Sequence, residues 1–307
     1  MAASLEVYAN VFFSSQKVFI KFPSYNYHLI LPYQLSTQSF NSFSTVRLRR
    51  RRNRTAVVAP SGGGSIMWPN DGVIGDGFAT AVAAGAALGL LRLWQETAKR
   101  RVFDQKLNRK LVHISIGLVF MLCWPLFSPG YRGAVLASLV PGINILRMLI
   151  IGSGLYKDEA TVKSMSRFGD HRELLKGPMY YACAITFACV YYWRTSPIGI
   201  GAICNLCAGD GFADVVGRRF GKHKLPYNKN KSFMGSIAML TAGFLTSVLY
   251  MYYFSRFGFI PVSRDMVFGF FCMSVASTLV ESLPISTDID DNLTVSVTSF
   301  LVGSLFF

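Results

Sequence analysis

Charge is what this chain has least of. Asp, Glu, Lys and Arg make up 15% of its 307 residues while 51% of its side chains are hydrophobic, against about 25% charged residues in an average soluble domain. That deficit excludes an ordinary soluble enzyme and points to a protein surrounded by lipid. Acid is the scarcer sign, with 16 Asp and Glu against 31 Lys and Arg, a formal net charge of +15. Metal and nucleotide signatures are missing too. The four histidines, His28, His113, His171 and His223, have no second His at a ligand spacing, so a histidine-bound metal is not expected. Cys204 and Cys207 form a C-x-x-C without a companion Cys or His pair, and all six cysteines lie in apolar surroundings. They read as small buried hydrophobes. No Walker A glycine loop is present, nor a protein-kinase glycine loop followed by H-R-D, which excludes the nucleotide folds built on them.

The basic excess is uneven. Residues 1–60 hold eight Lys/Arg and one acid, Glu6, are rich in Ser, Asn, Phe and Tyr, and run into RLRRRRNRTAVVAPSGGG. A basic, Ser-rich, nearly acid-free leader without a compact apolar core reads as a disordered organellar transit peptide, the small-residue cluster near Val57 to Gly64 favouring a plastid. The alternatives are a cytosolic tail or a nucleic-acid patch over Arg49 to Arg54. A basic run with no folded domain around it is weak ground for nucleic-acid binding, so no nucleic-acid partner is expected.

Residues 61–307 read as one polytopic membrane domain. A span needs about 20 mainly apolar residues, and the candidates are 73–94, 111–127, 133–151, 178–194, 197–216, 235–255, 266–283 and 291–307. The apolar runs are continuous, without the alternation of an outer-membrane barrel. The expected fold is therefore all-α, a helix bundle crossing the lipid bilayer about seven or eight times. Loops after the first, third and fifth candidates are basic, those after the second, fourth and sixth nearly neutral, and the loop after the seventh is acidic. Odd-numbered loops share a side, and Lys/Arg-rich loops stay on the side of insertion. Lys, Arg and Asp clusters thus converge on one membrane face.

The stretch CAGDGFADVVGRRFG, Cys207 to Gly221, places two carboxylates at the end of an apolar run, where an ionisable group is costly and by default functional. Downstream, KLPYNKNKSFMGS supplies Lys229, Lys231, Ser232 and Gly235. Glycines let backbone N–H groups approach an anion, and clustered Lys and Arg neutralise phosphate oxygens. Paired carboxylates bind Mg2+ while waters and substrate phosphates complete its octahedron. Arg218 and Arg219 could instead be membrane anchors that Asp210 and Asp214 pair across a helix turn, but anchoring requires neither GDG nor NKNKS. His113 could touch phosphate or be a satisfied interfacial histidine.

Asp210-Gly-Phe-Ala-Asp214 with its following glycines and arginines, the Lys224 to Gly235 run, and Glu281-Ser-Leu-Pro followed by Asp288 and Asp291 together resemble the polyprenol kinase family, which includes dolichol kinase and the plant phytol and farnesol kinases. RKLVHISIGLVF and SRFGDHRELLKGPMYY fit the same pattern, which covers about residues 105–307. The resemblance implies an integral-membrane enzyme that phosphorylates an isoprenoid alcohol with a nucleoside triphosphate, typically CTP, and Mg2+. It lies nearest phytol kinases of the chloroplast membrane, whose product feeds tocopherol synthesis, with farnesol or geranylgeraniol as alternative acceptors. On that reading Asp210 and Asp214 meet the metal or nucleotide, and Lys229 and Lys231 hold phosphate oxygens with Ser232 and Gly235. Arg218 and Arg219 support them. Glu281, Asp288 and Asp291 form a second acidic site, metal ligand or base, unless they merely cap the last span. A transporter would place its polar residues near the midplane, often with repeats; here they gather at one face.

Overall fold

A computed structural model describes residues 72–284 and 290–307. The expected leader and Asp288 lie outside the described residues. Apart from one isolated bridge between Lys224 and Ser232, every regular element among the described residues is helical. In chain order they are α1 (Gly72–Lys99), α2 (Gln105–Leu122), α3 (Tyr131–Gly152), the short α4 (Glu159–Met165), α5 (Gly177–Phe187), α6 (Pro197–Cys204), α7 (Asp210–Phe220), α8 (Phe233–Arg256), α9 (Arg264–Ser282) and α10 (Asp291–Phe306). A π-helical turn, Ala188–Tyr192, extends α5, and another, Asn205–Gly209, fuses α6 to α7.

Six of these helical runs are long and apolar enough to cross a membrane: Ile74–Lys99, Gln105–Leu126, Tyr131–Gly152, Pro197–Phe220, Phe233–Arg256 and Arg264–Ser282. The other two expected spans are helices but shorter. α5 with its π turn and α10 each run for 16 residues, about 24 Å at 1.5 Å per residue, less than the roughly 30 Å hydrocarbon core. Both pack along the bundle, α10 against α9, α6 and α5, and α5 against α3, and each keeps an exposed apolar face, Val297, Leu301 and Leu305 on α10 and Phe187 and Tyr191 on the α5 run.

The fused α6–α7 span is the axis of the molecule. Of its most apolar window 83% is buried inside the protein, against 50% or less for each other span. Small residues let its neighbours close on it: a Cβ on Gly201 would lie 2.8 Å from Met273 and one on Gly199 2.9 Å from Tyr192. Within the apolar run before Asp210, Asn205 is held by neighbours on α9 and α10: its Oδ1 accepts from Ser274 Oγ at 2.8 Å and its Nδ2 donates to Ser299 Oγ at 3.4 Å. Such interhelical hydrogen bonds replace the water that lipid cannot supply. Gly243 of α8 makes this arrangement possible, since a Cβ there would lie 2.3 Å from Asn205 Oδ1.

The two ends of the bundle differ. At one, Trp124, Trp193, Phe127 and Phe254 pack together. The buried Arg194 donates to the Trp124 and Phe127 carbonyls at 3.0 and 2.6 Å and lies 4.0 Å over the Phe259 ring. At the other, the helix termini and loops carrying the basic residues meet around a cavity.

Candidate active site

The loop from Gly221 to Ser232 is pinned to the end of α9. Asn228 Nδ2 donates to the Ser282 and Leu283 carbonyls at 3.1 and 3.2 Å, and Tyr227 Oη donates to Ser282 Oγ at 3.0 Å. That attachment carries Lys231 onto the acidic end of α9. Its ammonium donates to Glu281 and, at 2.9 Å, to Asp291 Oδ2. Burial alone would lower the Lys231 pKa, but the two carboxylates outweigh it and hold it above the usual lysine value. The ammonium is therefore charged throughout the physiological range.

Asp210 begins α7 just after the π turn and is buried. Its partner is Lys110 of α2, with Nζ 2.6 Å from Asp210 Oδ2; His113 Nε2 stands 3.3 Å from the same oxygen and 2.8 Å from the Leu206 carbonyl. Asp214, one turn on, is paired with Arg218 at 2.9 Å. So the anchoring alternative describes half of Asp214, whose other oxygen stays unpartnered, and does not describe Asp210.

Around these pairs lies a cavity of about 690 Å³. All four odd-numbered loops or their flanking helix ends reach it, through Lys106 and Arg109, Arg167 and Lys176, Lys224 and Lys231, and Asp290 and Asp291. Its lining holds eight Lys/Arg against five Asp/Glu, so it attracts anions even with every carboxylate ionised. Four lining atoms, Arg109 Nε, Asp214 Oδ2, Ser236 Oγ and Asp291 Oδ1, are withdrawn from water without a hydrogen-bond partner. Native proteins leave few such groups unsatisfied without a functional reason, and here both donors and acceptors wait around one space.

Oxygens of Asp210, Glu281 and Asp291 lie within 4.8 Å of one another. This set joins Asp210 to two members of the expected second acidic site, Glu281 and Asp291, while Asp214, the other carboxylate expected at the metal, lines the same cavity outside the trio. Asp290, not Asp291, caps α10, accepting the Asn292 N–H at 3.0 Å, which leaves Asp291 to reach inward.

Among the expected phosphate ligands, Lys231 and Arg218 line the cavity. Lys229 and Arg219 are exposed and lie outside its lining, the Arg219 guanidinium instead standing 5.7 Å over Phe220. Ser232 and Gly235 line it but serve each other first: the Gly235 N–H donates to Ser232 Oγ at 3.2 Å, capping α8. Gly235 lacks a side chain because a Cβ would meet the Ala213 carbonyl at 3.0 Å; its role is to let α7 and α8 close on the site. Their contribution to an anion is the positive end of α8, which faces the cavity. Lys110, Arg109, Lys224 and Ser236 were not singled out as site residues from the sequence. Lys110 and Arg109 sit at the end of a basic loop and look like interfacial anchors, while Lys224 and Ser236 are the two ends of the KLPYNKNKSFMGS run, whose inner residues drew the assignment.

Membrane-length helices converging on an anion-attracting, carboxylate-bearing cavity at one face define a polytopic membrane protein with an interfacial site for a charged ligand. No family model matches the chain, and no solved structure does. Curated relatives do. The chain is 59% identical over 286 residues to a farnesol kinase, chloroplastic, of Arabidopsis thaliana, covering 93% of this chain and 92% of the relative. It is 67% identical over 241 residues to a probable phytol kinase 3, chloroplastic, of Glycine max, covering 78% and 76%. It is 37% identical over 288 residues to phytol kinase 1, chloroplastic, of Arabidopsis thaliana, covering 94% and 91%. The chain belongs to the family of plant phytol and farnesol kinases.

Proposed function

We propose that this chain is a phytol kinase of a chloroplast membrane, moving the terminal phosphoryl group of a nucleoside triphosphate, CTP by preference, to the hydroxyl of the isoprenoid alcohol. The observation that carries the reading is the cavity: cations for a polyphosphate, carboxylates for a divalent ion, and apolar helices beneath for an isoprenoid tail. The alcohol oxygen forms a bond to the γ-phosphorus, the bond from that phosphorus to the bridging oxygen breaks, and the nucleoside diphosphate leaves. The hydroxyl proton passes to a cavity carboxylate, and Asp214, whose Oδ2 has no hydrogen-bond partner, is the proposed acceptor. Little covalent work falls to the protein, so positioning and charge neutralisation dominate. Lys231, Arg109, Lys224 and the α8 terminus hold the phosphates, while the Lys110–Asp210 pair fixes α7 against α2.

Mg2+ is the proposed cofactor. Three hard oxygen donors in reach of one ion, one of them on a carboxylate with an unpartnered oxygen, suit it. Asp210, Glu281 and Asp291 would hold it, and when bound it supplies neutralisation of phosphate charge.

A second reading, farnesol as acceptor, is favoured by one comparison: within Arabidopsis the chain is 59% identical to the farnesol kinase and 37% identical to phytol kinase 1. Purified protein in detergent, offered phytol, farnesol and geranylgeraniol with each γ-labelled nucleotide, decides both donor and acceptor. The expected result is label transfer from CTP to phytol at the highest kcat/KM. A higher value for farnesol selects the second reading, and no transfer to any alcohol rejects both.

A further inference from the structure

The cavity that suits a triphosphate offers a base no ring to stack on. None of its lining residues is aromatic, so a nucleobase that stacks on a ring finds it only beyond that lining. At the cavity rim stands Phe168, 80% exposed in a polar loop. Its sequence neighbour Arg167 and its spatial neighbour Lys106 both line the cavity, and the Lys106 ammonium sits 5.6 Å from the centre of its ring.

The loop holding this ring out is braced. The Phe168 N–H donates to Glu173 Oε1 at 3.1 Å and the Arg167 N–H to the other oxygen of Glu173. The Gly169 N–H donates to the buried Ser166 Oγ at 3.0 Å. Gln105 Nε2 from α2 donates to the Ser166 carbonyl and hydroxyl at 3.3 and 3.2 Å. Gly169 adopts φ 84°, which lets the chain turn back immediately after the ring. A side chain that is merely mobile or lipid-seeking needs no such support.

We propose that Phe168 is the platform on which the nucleobase of the phosphoryl donor stacks, with Lys106 bridging the ring to the phosphates. The proposal rests on the phosphotransferase reading and adds the nucleoside subsite. Every base has a π-face, so the ring supplies affinity without choosing among bases; any preference for cytosine comes from other contacts. The Lys106 ammonium over the ring adds a cation–π contact that orders the platform.

The test compares wild type, Phe168→Ala and Phe168→Tyr as full-length protein in detergent. Two readouts are taken: the kinetic constants for CTP and alcohol, and protection from thermal unfolding by CTP or by inorganic tripolyphosphate. Phe168→Ala is expected to raise the KM for CTP about tenfold, in line with one lost stacking contact, with kcat and the alcohol KM unchanged. Protection by CTP should weaken while protection by tripolyphosphate stays as in wild type, and Phe168→Tyr should restore both CTP readouts. An unchanged KM for CTP overturns the proposal. So does equal weakening of CTP and tripolyphosphate, which would make the ring part of the phosphate cavity, or a rise confined to the alcohol KM, which would make it a membrane anchor. Absence of turnover in wild type with every donor rejects the kinase reading instead. Protection then still tests the platform, and CTP protecting wild type no better than tripolyphosphate overturns it.

Discussion

The Lys110 ammonium and the Asp210 carboxylate are both withdrawn from water, 2.6 Å apart, and each is the other's main compensation. Removing one partner of a buried pair strands the other charge, at about 3–5 kcal/mol. Lys110→Ala should therefore lower the unfolding midpoint strongly, and adding Asp210→Asn should recover most of the loss, because the stranded charge goes with it. Thermal unfolding of the two variants in detergent checks this; a double variant less stable than Lys110→Ala alone contradicts it. Asp210→Asn by itself leaves the Lys110 ammonium without a countercharge and should also lower the midpoint, though less, since the amide oxygen still accepts from Nζ. The molecules that stay monodisperse should lose turnover by at least tenfold. Full specific activity would mean that its charge serves folding only. Asp210 was legible in the sequence because a carboxylate in an apolar run has few innocent explanations. Lys110 was not, since a lysine ending a basic loop has an innocent explanation ready. What distinguishes it is a partner 100 residues away, information that no local pattern contains.

The membrane helices could be read from the sequence because each obeys a length rule imposed by the bilayer. The π turn at Asn205–Gly209 could not, since its residues are as apolar as a regular helix and its wider hydrogen bonding answers to contacts with α8, α9 and α10. Nor could the shortness of α5 and α10, which leave the cavity face at Lys176 and Asp291 and run toward the opposite end with fewer residues than the hydrocarbon thickness asks. The close approach of α8 to the π turn depends on Gly243, where a Cβ would lie 2.3 Å from Asn205 Oδ1. Gly243→Ala should cost about 1–3 kcal/mol as the helices separate and lower activity with it, because α7 and its aspartates hang from that turn. Gly85→Ala in α1 is the control. Nothing stands within 4 Å of a Cβ there, and alanine is the better helix former, so its unfolding midpoint should equal or exceed wild type. Equal midpoints for the two variants would show that the Gly243 contact is not tight.

For the whole molecule, the alternation of basic and neutral loops anticipated that four loops would meet, and the cavity draws on all four. The alternation also fixes sidedness. In a background lacking the exposed Cys183, cysteines at the exposed positions Lys157 and Lys222 should react with a membrane-impermeant reagent from one side of sealed vesicles, and a cysteine at Thr195 from the other. Reaction of all three from one side contradicts the arrangement. At the end of the bundle opposite the cavity, Arg194 is locked between main-chain carbonyls and the Phe259 ring among packed tryptophans. A site whose charged lining lies wholly at one end of the bundle samples a single compartment. However the alcohol distributes between the two leaflets, its conversion would then be governed by the nucleotide pool bathing the basic loops. The phosphorylation state of a membrane-wide lipid pool would report the energy status of one side alone.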